Sequence, residues 1–256
     1  RDQYEVAKAT GQISSFDQEL MLRIMSDEDR LIQDSEIIWY KRSTVLTNKG
    51  MFNFYITTDF ATSENESADF SVISVWAYTA NGDWLWVDGV CKRQLMDANI
   101  NDLFRLAQMY KPQSVGVEVT GQQGGFIQWI QDQMMVRNCY FTLASDGNKG
   151  KPGIRPNTNK LVRFNTMVPV IKAHKMWFPE EMKEEPIMIE AMDEIKLASA
   201  SGFRSKADDF IDTLSMLSSL QAWKPSAETP KPDDNDNELW DDDDGDSPER
   251  LDSYIV

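Results

Sequence analysis

The chain has 256 residues, 41% of them hydrophobic and 11% aromatic, enough to bury the core of one large domain or two small ones. Its formal net charge of −16 argues against a polyanionic partner, yet Ser226 to Val256 alone holds twelve acids against two bases, a balance of −10, leaving −6 elsewhere. No apolar run is long enough to span a membrane, no basic-then-apolar leader opens the chain, and Cys91 and Cys139 make neither a metal-ligand pattern nor a disulfide framework.

The first fifty residues read as a polar helical connector. A helix is predicted from Ser15, with Leu20, Met21, Ile24 and Met25 on its apolar side, and residues 40 to 50 read as a polar link. From Met51 the pattern changes to strands. MFNFYITTD is apolar and β-branched and ends in Asp59, and DFSVISVWAYT and DWLWVDGVCKRQ follow. The last two are joined through Asn81-Gly82, a hairpin signal. A helix over Asn99–Lys111 stops before Pro112, SVGVEVT is a short strand, GGFIQWIQDQMMVR a helix and CYFTLAS a further strand. A three-stranded antiparallel meander followed by strands alternating with helices is the order of an RNase H-like α/β fold with a mixed sheet. A Gly- and Pro-rich loop, a helix containing Pro169, the short strand MWFP, an acidic helix and a closing helix over residues 205–223 complete this part. After Trp223 the composition turns to Pro, Asp, Asn and Ser, which builds no core, so residues 226 to 256 read as a disordered acidic tail.

Asp59 closes one apolar strand, Glu118 another, and Asp208 and Asp209 open the last helix. Carboxyl ends of strands are where functional residues gather in α/β sheets, and acids brought together there repel one another unless a cation neutralises them. That chemistry fits divalent ions held by oxygen ligands, two of which about 3.5–4 Å apart clamp a phosphodiester. The alternative is that each acid is a turn former or a helix cap, with Asp208 and Asp209 complementing the dipole of the closing helix.

The stretch from Asp59 to Ala68-Asp69-Phe70-Ser71 resembles the first nuclease motif of phage large terminase subunits, with Ala68 and Phe70 in place of the family's Gly and Tyr. VGVEVTGQQGGF resembles the second motif, SKADDFIDTLSML the third, and KLVRFNTMVPVIKAHKMWFP the segment before it. The resemblance covers roughly residues 50 to 223, with the matches in order. It implies an RNase H-like nuclease domain, residues 51 to 225, that cuts concatemeric double-stranded viral DNA during packaging with two Mg²⁺ or Mn²⁺ ions. Asp59, Glu118 and Asp209 would be the metal ligands, Asp208 a further ligand and Asp69 a close partner; whether Asp208 or Asp209 lies nearer the ions stays open. Asp212, three residues beyond Asp209 and so on a neighbouring helical face, reads as a residue that supports the ligands or packs, more structural than catalytic. No GxxxxGK[ST] loop is present, since the Gly121 to Phe126 stretch lacks the Lys, so no ATPase activity is expected. With Arg1 as first residue, residues 1 to 50 would be the end of a missing ATPase part of the same longer chain.

Residues 143 to 177 carry Lys149, Lys151, Arg155, Lys160, Arg163, Lys172 and Lys175 against Asp146 alone. They read either as a loop and helix tracking DNA phosphates beside the metal site or as an ordinary solvated face. No base-reading module is recognisable, so little sequence specificity is expected. The remaining partners the resemblance implies are the small terminase subunit and the portal protein, in the host cytoplasm. Another RNase H-like nuclease of the resolvase or transposase type, or a non-catalytic assembly module, is the alternative. The acidic tail is either simply solvated, a docking segment for a basic partner, or a restraint that repels DNA. The acidic helix between Glu180 and Glu194 reads as a soluble face with Ile187, Ile189, Met192 and Ile195 inward.

Overall fold

The structure is a computed structural model describing residues 29–61, 70–119 and 124–225. The helix expected from Ser15, Asp69 with its loop, the Gly121–Gln123 stretch and the acidic tail lie outside the described residues. In chain order the elements begin with strand β1 (Ile38–Tyr40) and the short helix α1 (Arg42–Thr47), followed by β2 (Asn53–Asp59), β3 (Ser71–Tyr78) and β4 (Trp84–Lys92). Helix α2 (Met96–Tyr110) leads to β5 (Ser114–Val117), and α3 (Gly124–Arg137) leads to the two-residue strands β6 (Ser145–Asp146) and β7 (Gly153–Ile154). Helix α4 (Lys160–Lys172), β8 (Met176–Pro179), α5 (Pro186–Lys196), the small pair β9 (Ala198–Ser199) and β10 (Gly202–Phe203), and α6 (Asp209–Ser215) complete the set.

The main sheet has six strands in the order β1-β8-β4-β3-β2-β5. Strands β2, β3 and β4 form the expected antiparallel meander, running from Asn53↔Tyr78 to Asp59↔Val72 and from Ser71↔Lys92 to Tyr78↔Trp84. Its Asn81-Gly82 turn closes with Gly82 at φ 81° and the Gly82 amide donating to the Thr79 carbonyl at 3.0 Å. A positive φ at that point is what glycine accepts without steric cost. Strand β5 adds to β2 in parallel, as do β8 to β4 and β1 to β8.

Side chains alternate across the sheet. Tyr55, Trp76, Trp84 and Trp86 face one apolar cluster with Phe164 and Phe210, while Phe54, Ile56, Ile73 and Val75 face a second with Leu103, Phe104 and Ile130. Helices thus cover both faces, α4, α5 and α6 on one side and α2 and α3 on the other.

Three expectations shift. The polar link expected over residues 40–50 begins on β1 and continues as α1, so the sheet recruits residues that precede Met51. Strand β1 is three residues long and pairs only with the distant β8, so its sequence carries no readable period. The strand expected in CYFTLAS reduces to one bridge, Leu143 to Val115, before β6. The closing helix is α6 alone, tightening into a 3₁₀ turn over Met216–Ser219.

Candidate functional site

The parallel register of β2 and β5 pairs Thr58 with Val117. Asp59 ends β2 and Glu118 directly follows β5, so the two acids stand at neighbouring carboxyl ends. Helix α6 lies across the meander, held by Thr213 Oγ1 to Ser74 Oγ at 3.0 Å and by Phe210, whose ring centre sits 6.2 Å from that of Trp76. Burying Phe210 contributes about 1.5–3 kcal/mol to this docking. The first turn of α6 is thereby brought to the two strand ends. Asp209, 6% exposed, accepts the Phe70 amide at 3.1 Å, just before β3 begins.

Helix α4 adds two cations one turn apart. Lys160 Nζ lies 2.6 Å from Asp208 Oδ1 and 2.6 Å from Asp212 Oδ2. Arg163 donates to Asp212 Oδ1 at 2.6 Å and to Glu118 Oε2 at 3.3 Å. Asp212 is therefore the hub that both cations share.

Among the described residues the cluster gathers five acids (Asp59, Glu118, Asp208, Asp209, Asp212) around Lys160 and Arg163. The surplus shows in the protonation behaviour. Asp59 is pushed up to about 8, by burial first and then by the charges of Asp212, Glu118 and Asp209. Burial also raises Glu118 against the pull of Arg163, and Asp212 against Lys160 and Arg163. Burial acts to lower Lys160, but the Asp212 and Asp208 carboxylates outweigh it and raise the ammonium above its ordinary value.

The donor set is all oxygen, as a hard divalent cation requires, and its excess negative charge is what such a cation would relieve. Among the described residues, no three acids, histidines or cysteines already converge as a ready-made metal cage. Lys160 and Arg163 hold Asp208, Asp212 and Glu118 instead. His174 lies elsewhere, exposed at the end of α4 with φ 56°.

The basic segment divides into three. Lys149, Lys151 and Arg155 are exposed on and around the β6–β7 loop. Lys151 and Arg155 line a groove of about 400 Å³ with Gln128, Gln131 and Asn148, and Arg155 also borders a second cavity of about 350 Å³ that reaches Arg163. Lys160 and Arg163 belong to the acid cluster. Lys172 and Lys175 point away, to Glu36 at 3.8 Å and Asp83 at 2.7 Å.

The structure brings together Asp59, Glu118, Asp208 and Asp209, the acids that the sequence singled out, and sets Asp212, expected to support the ligands or to pack, between them as the partner of Lys160 and Arg163. The i, i+3 spacing from Asp209 already allowed both to serve one side of the helix. Sequence reasoning also put Glu194 on a soluble face, whereas that carboxylate is 2% exposed and accepts the Ile211 amide at 2.8 Å. Burial pushes it up to about 8, against the lowering pull of the Ile211 and Phe210 amides. The signal was its place three residues after Ala191 and one before Ile195, both wholly buried.

Solved structures similar to this chain include terminase nuclease domains. The manganese-soaked human cytomegalovirus terminase nuclease domain superposes with a TM-score of 0.52 at 12% identity, covering 75% of this chain and 95% of that one. The fold is that of a terminase nuclease domain. The inhibitor-bound form of the cytomegalovirus domain gives 0.49 at 11% identity over 73% and 93% of the two chains. The large terminase nuclease of thermophilic phage G20c with bound magnesium gives 0.46 at 13% over 75% and 97%. No family model matches the chain, and no curated protein matches it. The mixed six-stranded sheet with helices on both faces is thus an RNase H-like architecture, the fold of the manganese-soaked cytomegalovirus domain. No helix among the described residues is long and apolar enough to cross a membrane.

Proposed function

We propose that the chain is a Mg²⁺- or Mn²⁺-dependent endonuclease that cuts double-stranded viral DNA during genome packaging. The observation that carries this reading is the surplus of buried and half-buried carboxylates that gather at the ends of β2 and β5 and the start of α6, in a sheet with the terminase nuclease fold. Asp59, Glu118 and Asp209 would hold the metal, with Asp208 as a further ligand and Asp69, outside the described residues, as a close partner. Two bound ions would supply Lewis-acid activation of the attacking water and charge relief at the leaving oxygen.

The chain's own residues do the rest. Asp212 holds Lys160 and Arg163 over the site, where both cations can pass from carboxylate to a DNA phosphate once the acids take up metal. Lys149, Lys151 and Arg155 would extend phosphate contact along the groove that leads to Arg163, positioning DNA without reading bases. The nuclease region would be residues 51 to 225, with β1 contributed by the preceding segment. An ATPase part of the same longer chain, the small terminase subunit and the portal protein would be its partners in the host cytoplasm. Incubating the protein with supercoiled plasmid and Mn²⁺ tests the proposal: wild type should nick and linearise, and Asp59→Ala should not. Undiminished cutting by Asp59→Ala would sink the catalytic assignment.

A further inference from the structure

Glu194 is a buried carboxylate for which metal ligation and DNA contact have no use. It reaches from α5 to the first turn of α6, where it accepts the Ile211 amide at 2.8 Å and bonds the Phe210 amide as well. These are the second and third amides of α6, the pair that an N-cap side chain ordinarily satisfies. The N-cap position is held by Asp208, among the best capping residues, yet its side chain makes no capping bond. Its carboxylate turns outward to Lys160 at 2.6 Å and stays 41% exposed. One acid thus caps the helix from outside, and the residue at the N-cap position turns its carboxylate to Lys160 instead.

We infer that Glu194 is a positioning residue that caps α6 in place of Asp208, so that Asp208 is released into the acid cluster and Asp209 is fixed at its edge. The inference rests on the proposed metal site for its purpose but not for its geometry. Without Glu194 two amides in a buried first turn would lack acceptors, a cost that the nearest alternative, Asp208, can relieve by swinging back over the helix. The site would then lose a ligand although every metal-site acid is still present.

Two measurements test this on the full chain. Calorimetric titration with Mn²⁺ should show affinity falling by about tenfold or more in Glu194→Ala, the usual size of an outer-shell loss, and staying within about threefold in Glu194→Gln, which keeps an acceptor oxygen. Wild-type affinity in a folded Glu194→Ala protein would overturn the inference, as would a tenfold loss in a folded Glu194→Gln. The second measurement is a thermal cycle on metal-free protein. Asp208→Ala should lower Tm by about 2–4 °C more in the Glu194→Ala background than in wild type, because only there does Asp208 act as the cap. Additive shifts would overturn the inference. Should Glu194→Ala fail to fold, the Glu194→Gln titration carries the test. If wild type itself bound no Mn²⁺, the nuclease reading would fall, and the thermal cycle alone would decide the cap.

Discussion

At each end of the β2–β3–β4 meander a lysine of the α4 region closes on a carboxylate, and the two closures are alike in length. At the Asp59 end Lys160 meets Asp208 and Asp212 at 2.6 Å; at the other end Lys175 meets Asp83 at 2.7 Å beside the hairpin turn. The surroundings differ. Asp83 has one cation and a hydroxyl from Thr79 at 3.2 Å, a carboxylate matched by its partners. Among the described residues the Asp59 end has more acids than cations, and the excess is buried or half-buried. An ion pair by itself therefore says nothing about function in this fold; the imbalance of charge around it does.

The largest test of that contrast is catalytic. Asp59→Ala should lower Mn²⁺-dependent nicking by on the order of 10³-fold, several kcal/mol of transition-state stabilisation, in a plasmid assay. Asp83→Ala should leave the rate within about twofold of wild type.

Next comes pH. Asp59 stands at about 8 in the folded chain against an ordinary 3.8, so between those values the folded state holds a proton that the unfolded state has released. Stability of the metal-free protein should fall as pH rises through that window, with Tm dropping by roughly 5–10 °C from pH 5 to pH 8.5. Asp59→Asn should flatten the slope, and saturating Mn²⁺ should restore Tm at the alkaline end. Glu194, also at about 8, adds a component in the same direction that Asp59→Asn leaves in place. A Tm that is level across this range would show that the acids are not in surplus.

How much of this was legible beforehand depends on range along the chain. The meander was readable because Phe54, Ile56, Ile73, Val75, Leu85 and Val87 alternate with polar or opposite-facing residues, and because Asn81-Gly82 marks the turn. Asp59 and Glu118 were readable as acids ending apolar strands. Strand β1 was not, since Ile38–Tyr40 owes its conformation to β8 and shows no pattern of its own. The basic segment misled for a related reason: adjacency in sequence suggested one surface, whereas a helix carries Lys160 and Lys172 to opposite ends of the sheet. Charge counts locate a segment; only the fold decides which carboxylate each base meets.

A smaller effect separates two lysines whose contacts, at 2.6 and 2.7 Å, are nearly the same length. Lys160→Ala removes a cation that neutralises two site acids, so the metal-free protein should lose about 1–3 kcal/mol at pH 7.5 in chemical denaturation. Its Mn²⁺ affinity should rise by about tenfold, since an ammonium no longer competes for Asp208 and Asp212. Unchanged or weaker Mn²⁺ binding would mean that Lys160 orders the ligands instead of competing for them. Lys149, Lys151 and Arg155 take no part in that competition. Replacing all three with alanine should weaken duplex binding only a few-fold at moderate salt, while making the slope of log K against log salt shallower by about 3.

The smallest effect belongs to Lys175→Ala. Its ammonium is 45% exposed and Asp83 is 17% exposed, so solvent screens much of the pair and the bond contributes about 0–1 kcal/mol. Tm should move by no more than about 2–4 °C, and the shift should be the same with and without Mn²⁺. That second clause is the discriminating one. A cation linked to the acid surplus must exchange with metal, so its removal alters how much Mn²⁺ stabilises the chain. A cation in a balanced pair leaves that increment unchanged. If Lys175→Ala altered the Mn²⁺ increment as Lys160→Ala does, the two ends would share one electrostatic system, and local charge balance would cease to mark the site.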